Sequence, residues 1–333
     1  MPADIRPPAI FLMGATATGK TALACALADR FPVDLISVDS ALVYRGLDIG
    51  AAKPDAATLA RYPHRMIDIR DPASPYSAAE FRRDALIAMD EIGARGRVPL
   101  LVGGTGLYFR ALEHGLSDLP DAAPEIRARL AEEASRVGWP ALHERLAAID
   151  PEAAERIGAG DAQRIQRALE IIELTGKPVS AQIGGVRERL PWRLLKLALV
   201  PEDRTRLHAR IASRFDAMLV AGFLDEVRRL AARGDLDASL PALRAVGYRQ
   251  AWEHLEGGSD APTFRERSIF ATRQLAKRQV TWLRSELDAR RIDPDGAGHG
   301  EEAERAVAAF LGGSLSTIRE YVSHGILFAG TNR

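Results

Sequence analysis

The sequence has almost no cysteine and no long apolar run, and both absences narrow the class of protein. A single cysteine, Cys25, among 333 residues excludes an internal disulfide framework and a cysteine-based zinc site, and it is typical of the reducing cytosol. The first eight residues lack the apolar core of a secretion signal, and no segment approaches the length of a transmembrane helix. We therefore expect a cytoplasmic protein without membrane contact.

Net charge is also absent, because 45 basic residues balance 45 acidic ones. This balance argues against attraction of the whole molecule to nucleic acid, but a local basic face remains compatible with it. Apolar residues make up 47% of the chain and charged residues 27%, as in ordinary globular proteins. The length suggests two domains, or one domain with an insert.

The most informative motif is a phosphate loop, GATATGKT, at residues 14–21. It follows the apolar run Ile10–Met13 and precedes a helical pattern, and strand, glycine loop and helix is the context that this motif requires. Backbone N–H groups of such a loop bind phosphate oxygens, Lys20 would reach a terminal phosphate, and the Thr21 hydroxyl would sit on Mg²⁺. The loop predicts phosphate binding and leaves open which phosphate is bound. The predicted diphosphate-binding or nucleotide-binding residues are Gly14, Ala15, Thr16, Ala17, Thr18, Gly19, Lys20 and Thr21.

The first third of the chain alternates apolar runs with helical patterns. This order predicts an α/β fold with a parallel sheet flanked by helices, as in P-loop NTPases, whose ligands bind at the carboxyl ends of the strands. The predicted strands are Ala9–Met13, Leu35–Val38, Met66–Ile69 and Pro99–Val102, and the predicted helices between them are Thr21–Arg30, Asp55–Arg61 and Ser77–Glu91.

The strand signal stops near Leu116, and an all-α insert domain is predicted to follow. Its predicted helices are Pro124–Val137, Trp139–Ile149, Pro151–Ile157 and Asp161–Thr175. Arg193–Val200 then predicts a strand that returns to the sheet, Thr205–Arg233 predicts one long helix or two, and Phe264–Leu287 another. The predicted domains are a first core part at 1–117, the helical insert at 118–190, a second core part at 191–312, and a tail at 313–333 without an assigned role.

Two polar groups follow strands of the predicted sheet. Asp39 follows the second strand, where it could hold Mg²⁺ through water, act as a general base, or cap a helix N-terminus. The glycine-rich turn Gly103–Gly106 follows the fourth strand and presents the hydroxyl of Thr105. Its glycines would let the backbone approach a ligand closely and would open a helix whose N-terminus favours anions, and the alternative is a tight strand-to-helix turn without a ligand.

Three segments combine basic side chains with amides or aromatic rings: Gln163–Arg167 in the insert, and Arg244–Gln250 and Arg273–Arg284 in the second core part. Such mixtures suit RNA loops, whose unpaired bases stack on aromatic rings while cations contact phosphates. The alternative is a solvated amphipathic helix face, with Trp282 in the core.

Together, and in this order, the motifs resemble the bacterial tRNA dimethylallyltransferase family, from about Ile10 to about Leu311. The resemblance implies transfer of a dimethylallyl group from its diphosphate to the exocyclic N6 amine of the adenosine 3′ to the anticodon, in tRNAs reading U-initial codons. The phosphate loop would then hold the pyrophosphate leaving group. The main alternative is an ATP-dependent small-molecule or nucleoside kinase, which has no need of the Arg- and Gln-rich C-terminal helix. The segments that carry the resemblance are Gly14–Thr21, Ile36–Gly50, Lys53-Pro54, Pro63–Arg65, Gly103–Tyr108 and Arg273–Arg284.

The resemblance also implies roles for single residues. Asp39 would be the general base, Thr105 would contact the diphosphate or the adenosine, and Arg214 would clamp the diphosphate, with Arg210 a weaker candidate. Mg²⁺ is the implied cofactor, and dimethylallyl diphosphate and the tRNA anticodon stem-loop are the implied substrates. The target base is expected to flip out of its stack. The protein is expected to be a monomer. The implied tRNA-binding residues are Asp39, Ser40, Ala41, Leu42, Thr105, Arg127, Gln163, Arg164, Ile165, Gln166, Arg167, Arg244, Ala245, Val246, Gly247, Tyr248, Arg249, Lys277, Arg278, Gln279, Val280, Thr281, Trp282, Leu283 and Arg284.

Overall fold

A computed structural model describes residues 6–117, 119–183 and 189–312 of the chain. Within these ranges the chain forms two compact units, one made of residues 6–113 and 190–312 and the other of residues 114–189. The first unit is α/β and the second is all-α, so the predicted fold class is confirmed. The predicted tail, 313–333, lies outside the described residues.

A sheet of six parallel strands forms the middle of the first unit. The strands are β1 (Pro8–Gly14), β2 (Val33–Val38), β3 (His64–Arg65), β4 (Val98–Gly103), β5 (Arg193–Leu199) and β6 (Arg290–Ile292). They lie side by side in the order β3-β2-β4-β1-β5-β6. Strands β1 and β4 are fully buried along their length, as expected for a parallel sheet covered on both faces.

Helices cover both faces of this sheet. The helices of the first unit are α1 (Lys20–Arg30), α2 (Ala56–Arg61), α3 (Ala78–Ala94), α4 (Gly106–His114), α9 (Arg204–Val220), α10 (Phe223–Ala231), α11 (Tyr248–Leu255), α12 (Ala261–Ser285) and α13 (His299–Gly312). Helices α1 and α13 pack on one face, and α3, α4 and α9 to α12 form the larger core on the other face. The second unit consists of α5 (Pro124–Val137), α6 (Trp139–Ile149), α7 (Pro151–Arg156) and α8 (Ala162–Thr175).

One predicted strand is wrong in position. The third strand lies at His64–Arg65, where it pairs with Leu35 and Ile36 of β2, and not at Met66–Ile69. Met66 and Asp68 have φ angles of 69° and 57°, which are left-handed values that end an extended strand. The apolar residues from which the strand was predicted, Met66–Ile69, therefore follow the strand and belong to the turn after it.

The segment predicted as one long helix or two is two helices, α9 and α10. Gly222 separates them with a φ of 92°, a left-handed conformation that glycine adopts without a steric penalty. Three further elements, α11, β6 and α13, were not predicted. Strand β6 is only three residues long, and two of its side chains are exposed arginines, so it carries almost no apolar pattern. In the described part of the chain, no helix is both long and apolar enough to cross a membrane.

Candidate active site at the strand ends

The phosphate loop forms a tight turn between β1 and α1. Gly19 has a φ of 82° and Ala17 a φ of 62°, so the loop twice enters the left-handed region. The Thr18 hydroxyl donates to the carbonyl oxygen of Ala15 at 2.8 Å, and Nζ of Lys20 donates to the same oxygen at 2.7 Å. The loop thereby gathers backbone N–H groups and an ammonium at the carboxyl end of β1, an arrangement that suits an anion.

Two cations of this site, Lys20 and Arg214, are poorly solvated. Burial lowers the pKa of Lys20 to about 8, although the nearby Asp39 carboxylate acts in the opposite direction. Burial likewise lowers the pKa of Arg214, and Asp39 again opposes the shift. A cation that has lost part of its hydration gains more from meeting an anion than a cation in water does.

Strands β2 and β4 are adjacent, and their carboxyl ends bring Asp39 and Thr105 together. Gly103 allows this close approach, because a Cβ atom there would lie 2.0 Å from the carbonyl oxygen of Val38. The N–H of Thr105 donates to that oxygen at 3.3 Å, and the N–H of Ser40 donates to Oγ1 of Thr105 at 3.2 Å. The Thr105 oxygen is thus used as an acceptor, and among the described residues its O–H donates no hydrogen bond.

The Asp39 carboxylate is fixed through one of its two oxygens. Oδ1 accepts from the N–H groups of Ala41 at 2.8 Å and Leu42 at 3.4 Å. The alternative that Asp39 caps a helix is wrong, because residues 40–43 form a turn. Within the described ranges no hydrogen bond involves Oδ2, which leaves one carboxylate oxygen for chemistry.

These groups line one cavity of 590 Å³ in the first unit. Its described lining includes the cations Lys20, Arg110, Arg214, Arg244 and Arg278, and Asp39 is the acidic residue there. Apolar side chains line it as well, among them Ile211, Phe215, Met218, Leu275 and Trp282. The cavity therefore suits a ligand that combines an anionic group with a hydrocarbon group.

Arg214 and Arg210 lie one turn apart on α9 and serve different parts of the loop. The Arg214 guanidinium lines the cavity and donates from Nη2 to Oγ1 of Thr16. Nε of Arg210 donates to the carbonyl oxygen of Ala17 at 2.9 Å, and its Nη1 pairs with Asp295. Arg210 lines a second cavity, of 460 Å³, which also touches Lys20, Thr21 and Arg214. Of the two arginines, Arg214 is the one that faces Asp39.

Helix α12 has two distinct faces along its predicted RNA segment. Lys277, Arg278, Thr281 and Arg284 are exposed. Val280, Trp282 and Leu283 are buried, at 8%, 8% and 0% exposure. Trp282 stacks on Phe109 with ring centroids 5.8 Å apart, so its ring belongs to the core, as the alternative interpretation held. Because only one face is exposed, the consecutive run 277–284 does not act as a single contact surface.

Another wall of the cavity comes from residues 244–248. Arg244 is exposed, but Tyr248 is fully buried, and its hydroxyl donates to Oε1 of Glu226 at 2.6 Å. Glu226 also accepts from the N–H groups of Asp48, Ile49 and Gly50 at 3.1, 2.7 and 3.1 Å. The Tyr248 ring is therefore unavailable for stacking on a base, and it serves to hold the wall that contains Gly50 and Ala51.

The insert residues predicted to bind tRNA divide in the same way. Gln163 and Arg164 are exposed, whereas Ile165 is buried. The fully buried carboxylate of Glu170 accepts from both Arg127, at 2.8 and 3.0 Å, and Arg167, at 2.6 Å. Gln166 donates to the carbonyl oxygen of Arg127 at 2.8 Å. Arg127, Gln166 and Arg167 thus use hydrogen-bonding groups within their own unit.

Glu226, Leu107 and Arg110 are among the contributors to the site that were not predicted. Glu226 was missed because a single glutamate on an amphipathic helix gives no signal of burial. Leu107 and Arg110 lie three residues apart on α4 and line the cavity, although Leu107 is 60% exposed. The helical spacing after the Gly103–Gly106 turn was the available signal, since residues three apart share a helix face.

Comparison with known sequences gives a consistent family. The sequence model of the IPP transferase family matches residues 42–286. A tRNA dimethylallyltransferase of Alkalilimnicola ehrlichii is 65% identical over 280 residues, covering 84% of this chain and 88% of that protein. One of Thiobacillus denitrificans is 59% identical over 306 residues, covering 92% and 98%.

Solved structures agree with this comparison. The tRNA isopentenylpyrophosphate transferase of Bacillus halodurans aligns with a TM-score of 0.67 at 35% identity, over 96% of this chain and 99% of that one. A eukaryotic dimethylallyltransferase acting on tRNA aligns with a TM-score of 0.75 over 96% of this chain and 85% of that one. At 24% identity, the second likeness is evidence for a common fold alone.

Proposed function

The chain belongs to the IPP transferase family, and from this membership and its site we propose that it is a tRNA dimethylallyltransferase. The enzyme transfers the dimethylallyl group of dimethylallyl diphosphate to N6 of the adenosine 3′-adjacent to the anticodon, in tRNAs reading U-initial codons. Pyrophosphate is the second product. Because its tRNA substrate is cytoplasmic, the protein is proposed to be cytoplasmic as well. That it is a monomer stays a prediction.

The observation that carries the proposal is the mixed lining of the cavity, which combines cations with apolar side chains. A diphosphate would meet the phosphate loop, Lys20 and Arg214, while a five-carbon chain would meet Phe215 and Met218 on the same helix as Arg214. Ionisation of an allylic diphosphate builds negative charge on the leaving pyrophosphate, which fixed N–H groups and cations stabilise in a poorly solvated site.

Asp39 would act on the nucleophile. As the N6 lone pair forms the new C–N bond at the allylic carbon, the C–O bond breaks and its electron pair leaves with pyrophosphate. The N6 proton passes to Oδ2 of Asp39, the oxygen without a hydrogen bond in the described residues. Thr105 is a hydrogen-bond neighbour of Ser40 beside Asp39, and its hydroxyl would donate to the diphosphate or orient the adenosine.

The residues also fit Mg²⁺ held largely by the diphosphate. Thr21 lines the cavity with an exposed side chain, and the described residues contain no group of three or more His, Cys, Asp or Glu that could hold a metal alone. Mg²⁺ keeps several waters and takes ligands from substrate phosphates, so a site with few protein ligands suits it. When bound through Thr21, the ion would neutralise charge on the leaving pyrophosphate.

The tRNA would approach over the exposed cations at the cavity. Arg244, Arg278 and Arg110 line the cavity with exposed side chains, and Lys277 extends the basic strip along α12. Single-stranded anticodon loops expose bases that a protein draws out of the stack, and cations hold the flanking phosphates. The exposed insert residues Gln163 and Arg164 remain proposed tRNA contacts.

The kinase alternative is not favoured, because the comparisons identify tRNA dimethylallyltransferases over most of the chain.

The decisive experiment incubates the protein with labelled dimethylallyl diphosphate, Mg²⁺ and undermodified tRNA, without ATP. We expect label in the tRNA and an equal amount of released pyrophosphate. A matched transcript with guanosine in place of the target adenosine serves as the control and should stay unlabelled. Label that remains off the adenosine-containing tRNA, or transfer that requires ATP, would contradict the proposal.

A further inference from the structure

Gln279 lies on α12 among the residues predicted to bind tRNA. Both the oxygen and the nitrogen of its side-chain amide, however, form hydrogen bonds with backbone groups of the protein. Oε1 accepts from the N–H of Thr16 at 2.8 Å, and Nε2 donates to the carbonyl oxygen of Gly104 at 3.0 Å. Gly104 leaves room for this contact, because a Cβ atom there would lie 2.4 Å from Nε2. The side chain therefore fills the gap between the phosphate loop and the glycine-rich turn.

Thr16 extends this connection to the cation of the site. Its N–H belongs to the phosphate loop and is held by Gln279, while its Oγ1 accepts from Nη2 of Arg214. Four elements are thus joined in series: the turn after β4, helix α12, the loop after β1, and helix α9. The two groups that would hold the diphosphate, the loop and Arg214, both depend on the position of Thr16.

The chemistry of glutamine matches this position at both ends. An N–H needs an acceptor, a carbonyl oxygen needs a donor, and the amide of glutamine supplies one of each. A glutamate would keep the acceptor for Thr16 and present an oxygen to the Gly104 oxygen. A methionine of similar length would supply neither bond and would leave the Thr16 N–H without its partner.

We propose that Gln279 is a positioning residue that ties the phosphate loop to the RNA-binding helix, and that it does not contact tRNA. The proposal rests on the proposed function, in that the diphosphate is the ligand of the loop. Lys277 and Arg278 extend outward from the same helix, so one helix would present cations to RNA on its outer face and fix the diphosphate site with its inner face.

The test compares Gln279→Met and Gln279→Glu with Lys277→Ala, an exposed neighbour two residues away. Equilibrium binding of inorganic pyrophosphate is measured by calorimetry, binding of tRNA by filter retention, and turnover with each substrate varied in turn. For Gln279→Met we expect the Kd of pyrophosphate and the KM of dimethylallyl diphosphate to rise about tenfold, the worth of about one hydrogen bond. The Kd of tRNA should stay within about twofold of the parent value.

The control should behave in the opposite way. Lys277→Ala should weaken tRNA binding and leave pyrophosphate binding unchanged, since it removes only an outward cation. Gln279→Glu keeps the bond to Thr16 but sets a carboxylate against the Gly104 oxygen and beside the anion, so it should raise the Kd of pyrophosphate at least as much, and it also serves if the methionine variant does not fold.

Two results would overturn the proposal: a Gln279 variant that weakens tRNA binding but binds pyrophosphate normally, or one that binds both ligands like the parent protein. Failure of the proposed function is separate, because it would appear as absent prenyl transfer by the parent protein. The pyrophosphate measurement needs no prenyl transfer.

Discussion

Replacement of Asp39 by asparagine separates its chemical role from its structural one. Asparagine keeps an oxygen that accepts from the Ala41 N–H at 2.8 Å, so the turn after β2 should hold. An amide accepts no proton at neutral pH, so turnover should lose the contribution of a general base, about 10²- to 10⁴-fold. The free energy of unfolding should change by less than about 0.5 kcal/mol, because no buried contact is removed.

Asp39→Ala supplies the matched comparison. It removes the acceptor for Ala41, a hydrogen bond to a charged but half-exposed group, and should lower the free energy of unfolding by about 1 kcal/mol. For a unit of this size the thermal midpoint should fall by about 2–4 °C. Both variants should be equally poor in turnover, and only the alanine variant should be less stable.

The substitution also changes the site electrostatically. Asp39 raises the pKa of Lys20 against the effect of burial, so its neutralisation should lower that pKa below its value of about 8. Pyrophosphate binding by the asparagine variant should therefore begin to weaken at a lower pH than in the parent protein.

The assay is single-turnover prenyl transfer to tRNA, with urea denaturation and pyrophosphate calorimetry on the same preparations. Asp39 is not the general base if Asp39→Asn keeps more than about a tenth of the parent rate. Its carboxylate does not stabilise the turn after β2 if the asparagine and alanine variants lose the same stability.

Three further changes test other parts of the site. Above pH 8 the parent protein should bind pyrophosphate more weakly, by up to about tenfold per pH unit, because the Lys20 ammonium then loses its proton. The Lys20→Arg variant stays charged, so a constant ratio of the two Kd values across this pH range would contradict the pKa of Lys20. Glu226→Gln should lower the free energy of unfolding in urea by about 2–4 kcal/mol, because the NH₂ group of glutamine would face backbone N–H donors that now donate to the carboxylate. An unchanged urea midpoint would show that the Glu226 carboxylate does not hold this wall of the cavity. Gly106→Ala should lower the thermal midpoint, since the new Cβ atom would lie 2.5 Å from the Trp282 ring. Gly160→Ala is the control and should leave the midpoint unchanged, because its Cβ atom would meet nothing within 4 Å; equal midpoints for the two variants would contradict close packing at Gly106.

The parts of the site that depend on local sequence were predictable. The phosphate loop has a fixed spacing, and Asp39 and Thr105 each follow a strand of a parallel sheet, so their convergence at one edge follows from the βαβ order. The mixed lining of the cavity was not predictable in this way, because Phe215 and Met218 reach it only through the packing of α9.

The role of Gln279 depends on partners far away in the chain. Thr16 is 263 residues from Gln279, and Gly104 is 175 residues from it, so no window of sequence contains the contact. The same holds for Glu226, whose N–H donors lie about 177 residues earlier. The turn at Met66 was mistaken for a strand because apolar composition does not report the sign of φ.

The place where the chain leaves the α/β unit decides the order in which the two units are completed during synthesis. The N–H of Leu190 donates to the carbonyl oxygen of Glu113 at 3.0 Å, so the chain departs for the helical unit and returns at the same place. Strand β1 takes β5 as one of its two neighbours, although β5 begins about 180 residues later. On a ribosome adding about 5–20 residues per second, one edge of the central strand waits roughly 10–40 s for its partner. The helical unit is complete before that partner emerges, so the nascent chain finishes its second unit before its first.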